Sequence, residues 1–344
     1  MRVLVTGHDG YIGAVMVPIL RDAGHQVAGL DNYLFEGCLF GATATSDIPS
    51  LRRDVRDVTV ADLEGFDAVI HLAALSNDPL GDLNPECTYD INYRASVRVA
   101  SMAKAAGVPR FLFSSSCSLY GVSDGMSMLK EDAAFNPVTP YGASKIKVEQ
   151  EVSLLADEHF SPTFLRNATA YGLSPKLRSD LVVNNLVGFA YTTGEVLIGS
   201  DGTPWRPLVH IEDISRAFLA VLYAPRDLIH NQAFNVGQTK ENYQIRDIAQ
   251  AVQEIVPGSK IRYAPGGGPD PRCYRVDCEK LAQTFPDFTP KWTVPDGIAQ
   301  LYQAYKDNHL TADEFLGTKY LRIKHVKKLQ SEGQLDPMLR WQNV

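Results

Sequence analysis

Tyr141-Gly142-Ala143-Ser144-Lys145 sets a phenol and an ammonium four residues apart, which on a helix is one face. A phenol with an ordinary pKa of about 10 is a poor base at neutral pH. A lysine charge beside it favours the phenolate, as does any cationic ring bound nearby. Such a pair can take a proton from an alcohol and return it. Pro137 and Pro140 precede the segment and fix its start. Upstream, an apolar run ends in Ser114-Ser115-Ser116-Cys117-Ser118-Leu119-Tyr120-Gly121, a row of hydroxyls where a parallel strand would end and where such folds build sites. A YxxxK string alone usually marks a helix surface; its neighbours make this one a candidate.

A second constellation opens the chain. Gly7-His8-Asp9-Gly10-Tyr11-Ile12-Gly13 follows a strand-like run and leads into a helical one. Glycines at this spacing permit a tight turn, close approach of backbone amides to a pyrophosphate, and tight helix–strand contact. Asp31 ends the next strand, 24 residues after Gly7. A carboxylate there accepts from ribose hydroxyls and repels a 2′-phosphate, so NAD is the expected cofactor ahead of NADP. Asp54-Val55 follows the third strand, where an adenine edge or a simple turn fits equally well.

These residues need a frame. Arg2–Thr6, Gln26–Leu30, Ala68–His71, Arg110–Ser115 and Thr163–Arg166 read as strands, apolar without alternation, as when helices cover both faces. Tyr11–Ala23, Ala95–Ala106 and Tyr141–His159 read as helices. Strands alternating with helices imply an α/β fold, a Rossmann-type doubly wound parallel sheet. Beyond about residue 170 the loops lengthen around Gly199–Pro207 and Pro265–Pro271, with helical patterns at Asp213–Tyr223 and Gln244–Ile255. That region reads as a smaller α+β C-terminal substrate domain. The expected division is 1–168 for the dinucleotide domain, with a returning segment near 207–237. Residues 169–206 and 238–309 form the substrate domain, and 310–344 a helical tail. Thr311 with Glu314 starts that tail as a capping box. Its basic run, Lys319, Arg322, Lys324, Lys327 and Lys328, reads as a solvated helix face. His210-Ile211-Glu212-Asp213 has metal-ligand spacing, but Asp213 as the N-cap of a following helix is the better reading, and no metal is expected.

Composition bounds the function. The 344 residues carry 33 basic and 40 acidic side chains, a net charge of −7, which argues against a nucleic acid as main partner. No apolar run reaches the 18 or more residues of a membrane span. Five cysteines without CxxC spacing read as free thiols in a reducing compartment. With the glycine motif beginning at residue 7, the expectation is a cytoplasmic protein without a signal peptide.

The ordered motifs resemble those of the extended short-chain dehydrogenase/reductases, specifically the NAD-dependent nucleotide-sugar epimerases and dehydratases. The resemblance spans roughly residues 1–300. It rests on the glycine loop, His71-Leu72-Ala73-Ala74, the serine strand at 114–121, Tyr141 with Lys145, and the run Asp201 to His210. It implies that Tyr141 is the catalytic base and acid, that Lys145 tunes it and holds the nicotinamide ribose, and that Ser116 bonds the reacting hydroxyl. Gly7, Gly10, Tyr11, Ile12, Gly13, Asp31, Asn32, Asp54, Val55, Leu72, Ala73, Ala74 and Asn92 would contact the cofactor. Ser76, Asn77 and Asp78 follow in the loop beside the nicotinamide, without a motif that assigns them a contact. Arg206 would take the substrate diphosphate, its guanidinium matching phosphate oxygens in a fork. Asp270 would hold the nucleotide ribose, and Ser118, Asn167, Asn185 and Arg272 complete the substrate set. Family dehydratases carry Asp and Glu where this chain has Cys117 and Ser118, and family decarboxylases keep a Glu at the Ser118 position. Both reactions are therefore disfavoured, and Cys117 reads as a small buried residue. Thr169 replaces an Asn that often binds the diphosphate, and Gly267 replaces an Arg, leaving base and sugar unassigned.

The resemblance thus implies an NAD-dependent epimerase of a nucleotide-diphosphate sugar, acting at C4 through a 4-keto sugar. An NAD(P)H-dependent 4-keto-sugar reductase is the alternative. A non-catalytic NAD(P)-sensing protein comes third, because such proteins tend to lose the Tyr/Lys pair. Family members commonly pair as homodimers, and the same is expected here.

Overall fold

Unbroken apolar runs force burial on both faces, and seven strands form one parallel sheet on that basis. They are β1 (Arg2–Thr6), β2 (Gln26–Asp31), β3 (Ser50–Arg52), β4 (Ala68–His71), β5 (Arg110–Ser116), β6 (Ser161–Asn167) and β7 (Gln232–Val236). The computed structural model describes residues 1–41, 47–76, 78–123, 125, 127–265 and 272–342. Sheet order is β7-β6-β5-β4-β1-β2-β3, the doubly wound arrangement expected. Leu4 pairs in register with Ala28 on one side and Val69 on the other. Order reverses at β1, so a crevice opens between the carboxyl ends of β1 and β4, where ligands bind in open α/β sheets.

The two faces carry separate cores. Leu4, Val69, Phe111, Phe113 and Phe164 point to one, with α2 (Ala95–Ala105) and α3 (Pro140–Ser153) over them. Val3, Val5, Ile70, Leu112 and Leu165 point to the other, covered by α1 (Gly13–Asp22) and α5 (Ile211–Tyr223). Alternate residues of each strand thus serve opposite cores.

The second region has a core of its own. Helices α4 (Val182–Thr193), α6 (Ile245–Ile255) and α7 (Val294–Asp307) pool Val183, Leu186, Val187, Ile248, Val252, Ile298 and Leu301 there. Trp205–His210 runs through this region in a small sheet, parallel to Thr169–Tyr171 and antiparallel to Asn242–Gln244. The chain then returns to the main sheet through α5 and β7.

Three local outcomes differ from the sequence reading. Helix α3 ends at Ser153, not His159, because the Asp157 carboxylate accepts from the amides of His159 and Phe160 and turns the chain toward β6. Asp213 is not an N-cap. His210 caps α5, its Nδ1 accepting from the Glu212 amide at 3.2 Å. Asp213 lies inside the first turn and accepts from the amides of Lys291 and Trp292, tying α5 to the approach to α7. The tail is not wholly a solvated face either. Thr311 and Glu314 form the expected capping box, but in α8 (Arg322–Ser331) Arg322 is only 3% exposed. Leu329, Leu335 and Leu339 join the same core as the residues under α2 and α3, and the segment crosses the carboxyl ends of β2 and β3. There Arg56 donates to the carbonyls of Met338 and Leu339, and the Trp341 indole donates to the carbonyl of Asn32 at 2.8 Å.

Candidate functional site

A cleft of about 720 Å³ runs along the carboxyl ends of the strands and into the second region. One end is built by the glycine loop. Gly7 has φ +74°, and a Cβ there would stand 2.8 Å from the Ala73 amide nitrogen. A Cβ on Gly13 would stand 2.3 Å from the Gly7 carbonyl oxygen. No side chain caps the first turn of α1; the Ala14 and Val15 amides donate to the Gly10 and Ile12 carbonyls, and the positive end of the helix dipole lies at the cleft wall formed by Gly10 to Gly13. Asp31 sits beside them at the end of β2. It accepts from the amides of Tyr33 (2.8 Å) and Asp9 (3.2 Å). Burial raises its pKa, against the pull of the Tyr33 amide.

The wall opposite is held by a chain of buried hydrogen bonds. The Ala73 amide donates weakly to Thr6 Oγ1, which meets His71 Nδ1 at 2.6 Å, and His71 Nε2 meets Ser96 Oγ at 2.8 Å. Ser96 donates on to the Asn92 carbonyl, so the imidazole accepts at Nδ1 and donates at Nε2. Burial, with the nearby Lys145 charge, drops the His71 pKa to about 3, so the ring stays neutral. Asn92 does not line the cleft. Its amide accepts from and donates to the Leu75 backbone (2.8 and 2.9 Å), which fixes the loop carrying Leu72, Ala73 and Ala74.

At the middle of the cleft stand Tyr141, Lys145 and Ser116. Thr139 caps α3 by accepting from the Gly142 amide, with Pro140 in the first turn. That start aims Tyr141 and Lys145 at the serine strand, with Lys145 Nζ 5.5 Å from the Tyr141 ring centroid. Lys145 is 2% exposed. Its ammonium donates to the Ser114 carbonyl at 2.7 Å and lies 4.5 Å from the centre of the Phe113 ring. Burial lowers its pKa to about 7, with Glu149 opposing the fall. Glu149 is itself held by Arg166 (2.7 Å) and the Ser115 hydroxyl (2.5 Å). Ser116 Oγ donates to Ser118 Oγ at 3.0 Å and accepts from the Ser118 amide. Cys117 points away, fully buried, its thiol donating to the Arg166 carbonyl. Burial raises its pKa, so it is neither an acid nor a thiolate.

Every other proposed contact residue among those described also lines the cleft: Gly10, Tyr11, Ile12, Asn32, Asp54, Val55, Leu72, Ala74, Ser118, Asn167, Asn185, Arg206 and Arg272. Asp54 also makes the turn considered for it, capping the Arg56 amide and pairing with the Arg56 guanidinium at 2.6 Å. Arg206 donates to the carbonyls of Trp205 and Arg272. Asn185 donates to the Ser179 carbonyl, while Asn184 braces Tyr11 and Gly172 away from the cleft. Asp270, Gly267 and Asn77 lie outside the described residues. Lining residues that the sequence did not point to include Arg178, Tyr274 and Leu339, and Arg322, read there as part of a solvated face, lines the cleft as well. Tyr274 bonds Ser118, and burial pushes its phenol up to about 12.

A dinucleotide fits this cradle. The glycine loop admits backbone approach, and Asp31 offers a carboxylate to a ribose. Two buried polar atoms of lining residues, Asn167 Oδ1 and Arg322 Nη1, have no partner among the described residues. No group of three or more potential metal ligands occurs among the described residues, and no helix there is long and apolar enough to cross a membrane.

The model of the NAD dependent epimerase/dehydratase family matches residues 3–237. The chain is 28% identical over 310 residues to UDP-glucose 4-epimerase of Corynebacterium glutamicum, covering 85% of this chain and 92% of that one. It is 24% identical over 325 residues to UDP-glucuronic acid decarboxylase 1 of Arabidopsis thaliana, covering 92% and 72%. Among solved structures, MoeE5 in complex with UDP-glucuronic acid and NAD superposes with a TM-score of 0.77 at 25% identity, covering 89% of this chain and 99% of that one.

Proposed function

The chain belongs to the NAD-dependent epimerase/dehydratase family, and from that premise we propose that it is a nucleotide-sugar 4-epimerase. NAD, when bound, supplies reversible acceptance of a hydride from a sugar carbon. Tyr141 takes the proton of the C4 hydroxyl and returns it after the 4-keto sugar has turned its other face. Ser116 bonds the same oxygen and orients it. Lys145, in its protonated form, favours the Tyr141 phenolate, and it reaches the nicotinamide ribose. Arg206 and Arg272 hold the diphosphate at the far end of the cleft.

One observation carries the choice of reaction. By the family pattern, dehydratases carry Asp and Glu at the two positions after the residue matched by Ser116, and decarboxylases keep a Glu at the second. Here Cys117 is buried and bonded to a carbonyl, and Ser118 is a hydroxyl bonded to Ser116. Epimerisation needs nothing beyond Tyr141, Lys145 and Ser116.

The test is chromatography with mass spectrometry on the protein incubated with UDP-, dTDP-, GDP- and CDP-sugars and their 4-keto forms, with and without NADH and NADPH. UDP-sugars come first, given the two curated relatives. A new peak of unchanged mass without reductant supports the proposal and names the substrate. A reductant-dependent gain of two hydrogens makes the protein a reductase. Loss of water or carbon dioxide overturns the reading of Cys117 and Ser118.

A further inference from the structure

The glycine-loop end of the cleft holds a buried guanidinium that pairs with none of the described carboxylates around it. Lys176 pairs with Asp9 at 2.6 Å, and Arg178 pairs with Asp180 at 2.6 Å. Arg322 lies in the same field, influenced by Arg178, Asp180 and Asp9, yet no carboxylate among the described residues comes within ion-pair distance of it. Its guanidinium lies over the Phe35 ring, 3.8 Å from the centroid, and donates through Nη2 to the Lys176 carbonyl at 3.2 Å. Nη1 is buried with no partner among the described residues. Asp31, the third carboxylate of this end, accepts from the Asp9 and Tyr33 amides instead, so among the described residues Arg322 is the cation of this group left without an ion pair. Leaving a buried cationic donor unsatisfied is costly, and an anion entering the cleft relieves it.

The position identifies the anion. Arg322 borders the cleft together with Asp9, Leu34, Phe35 and the first turn of α1, the end built for the dinucleotide. Arg206 and Arg272 belong to the other end. We propose that Arg322, delivered by the tail, binds a pyrophosphate oxygen of the dinucleotide from the side opposite the glycine loop. The glycine loop and the positive end of the α1 dipole meet the phosphates from one side, and the Arg322 fork contacts them from the other. Leu339 and the Trp341–Asn32 bond hold the same segment against the cleft. The inference rests on the family's use of NAD and not on the C4 chemistry.

The test needs no sugar turnover. Cofactor-stripped wild-type protein and Arg322→Met are titrated with NAD, ADP-ribose, adenosine and UDP by calorimetry. Removing one charge-assisted contact weakens NAD and ADP-ribose by roughly 10- to 100-fold, with adenosine and UDP unchanged. Unchanged NAD affinity overturns the proposal. Equal weakening of adenosine makes Arg322 a structural support only, and weakening of UDP alone moves the contact to the substrate diphosphate; either outcome also overturns it. Should Arg322→Met fail to fold, Arg322→Lys decides the matter, since it keeps the charge but not the fork. A several-fold loss for NAD with adenosine unchanged supports the contact, and wild-type NAD affinity refutes it.

Discussion

Replacing Lys145 by Met separates the stability of this site from its chemistry. Burial moves the lysine pKa from 10.5 to about 7. At roughly 1.4 kcal/mol per tenfold change in proton affinity, this corresponds to about 5 kcal/mol of cost for the charged form. Below pH 7 folded and unfolded chains both hold the proton, and the folded state bears the whole cost. Between about 7 and 10.5 the unfolded chain binds the proton and the folded one does not, so stability rises with pH. Above that range both forms are neutral and the cost is gone. Methionine fills a similar volume without charge. Against the gain stands the Ser114 carbonyl, which loses its donor at a cost of about 1–3 kcal/mol. Glu149 stays paired with Arg166 and Ser115. The cofactor-free Lys145→Met protein is therefore expected to be roughly 2–4 kcal/mol more stable than wild type at pH 6. That gap shrinks steadily toward pH 10, while turnover falls by about 100-fold or more. Urea unfolding followed by tryptophan fluorescence at pH 6, 8 and 9.5 measures it. A variant less stable than wild type at pH 6, or a gap that ignores pH, refutes the reasoning.

Tyr141→Phe is expected to lose at least about 100-fold in turnover while keeping NAD affinity; full activity removes Tyr141 from the mechanism. Arg166→Met strands the Glu149 carboxylate and is expected to cost roughly 3–5 kcal/mol in denaturant unfolding at pH 7; a loss under about 1 kcal/mol would mean that solvent reaches Glu149. Cys117→Ala removes only a packed thiol, with a stability loss of about 1 kcal/mol and activity within a few-fold of wild type. A tenfold loss of turnover would give the thiol a chemical role.

Residues whose surroundings are set by nearby sequence were legible. The bounds of β1 and β4 follow from uninterrupted apolar runs, and Gly7 to Gly13 from their place between strand and helix. Tyr141 and Lys145 declare themselves by helical spacing, and Pro140 marks the start of that helix. What failed were positions decided by partners far along the chain. Asp213 has the composition of a cap, but the amides of Lys291 and Trp292 claim it. Arg322 sits in a run of lysines and looked solvated until Phe35 and the Lys176 carbonyl gave it a buried seat. Tyr274 and Arg178 belong to no motif and reach the cleft only because the second region folds over it. Asn92 was read as a cofactor contact from a motif, and its side chain instead fixes the loop that forms the cofactor's wall.

The bonds from Arg56 to Met338 and from Trp341 to Asn32 join residues 282 and 309 positions apart. Closing loops of that length is entropically late work, and contacts of high sequence separation slow folding. The sheet can assemble and begin to sort its strands before the tail finds β2 and β3. A folding intermediate with native strands but an undocked tail is the expected last stage before the native state. During refolding, secondary structure should therefore recover ahead of tight dinucleotide retention, with the docking of Trp341 as the fluorescent event between them.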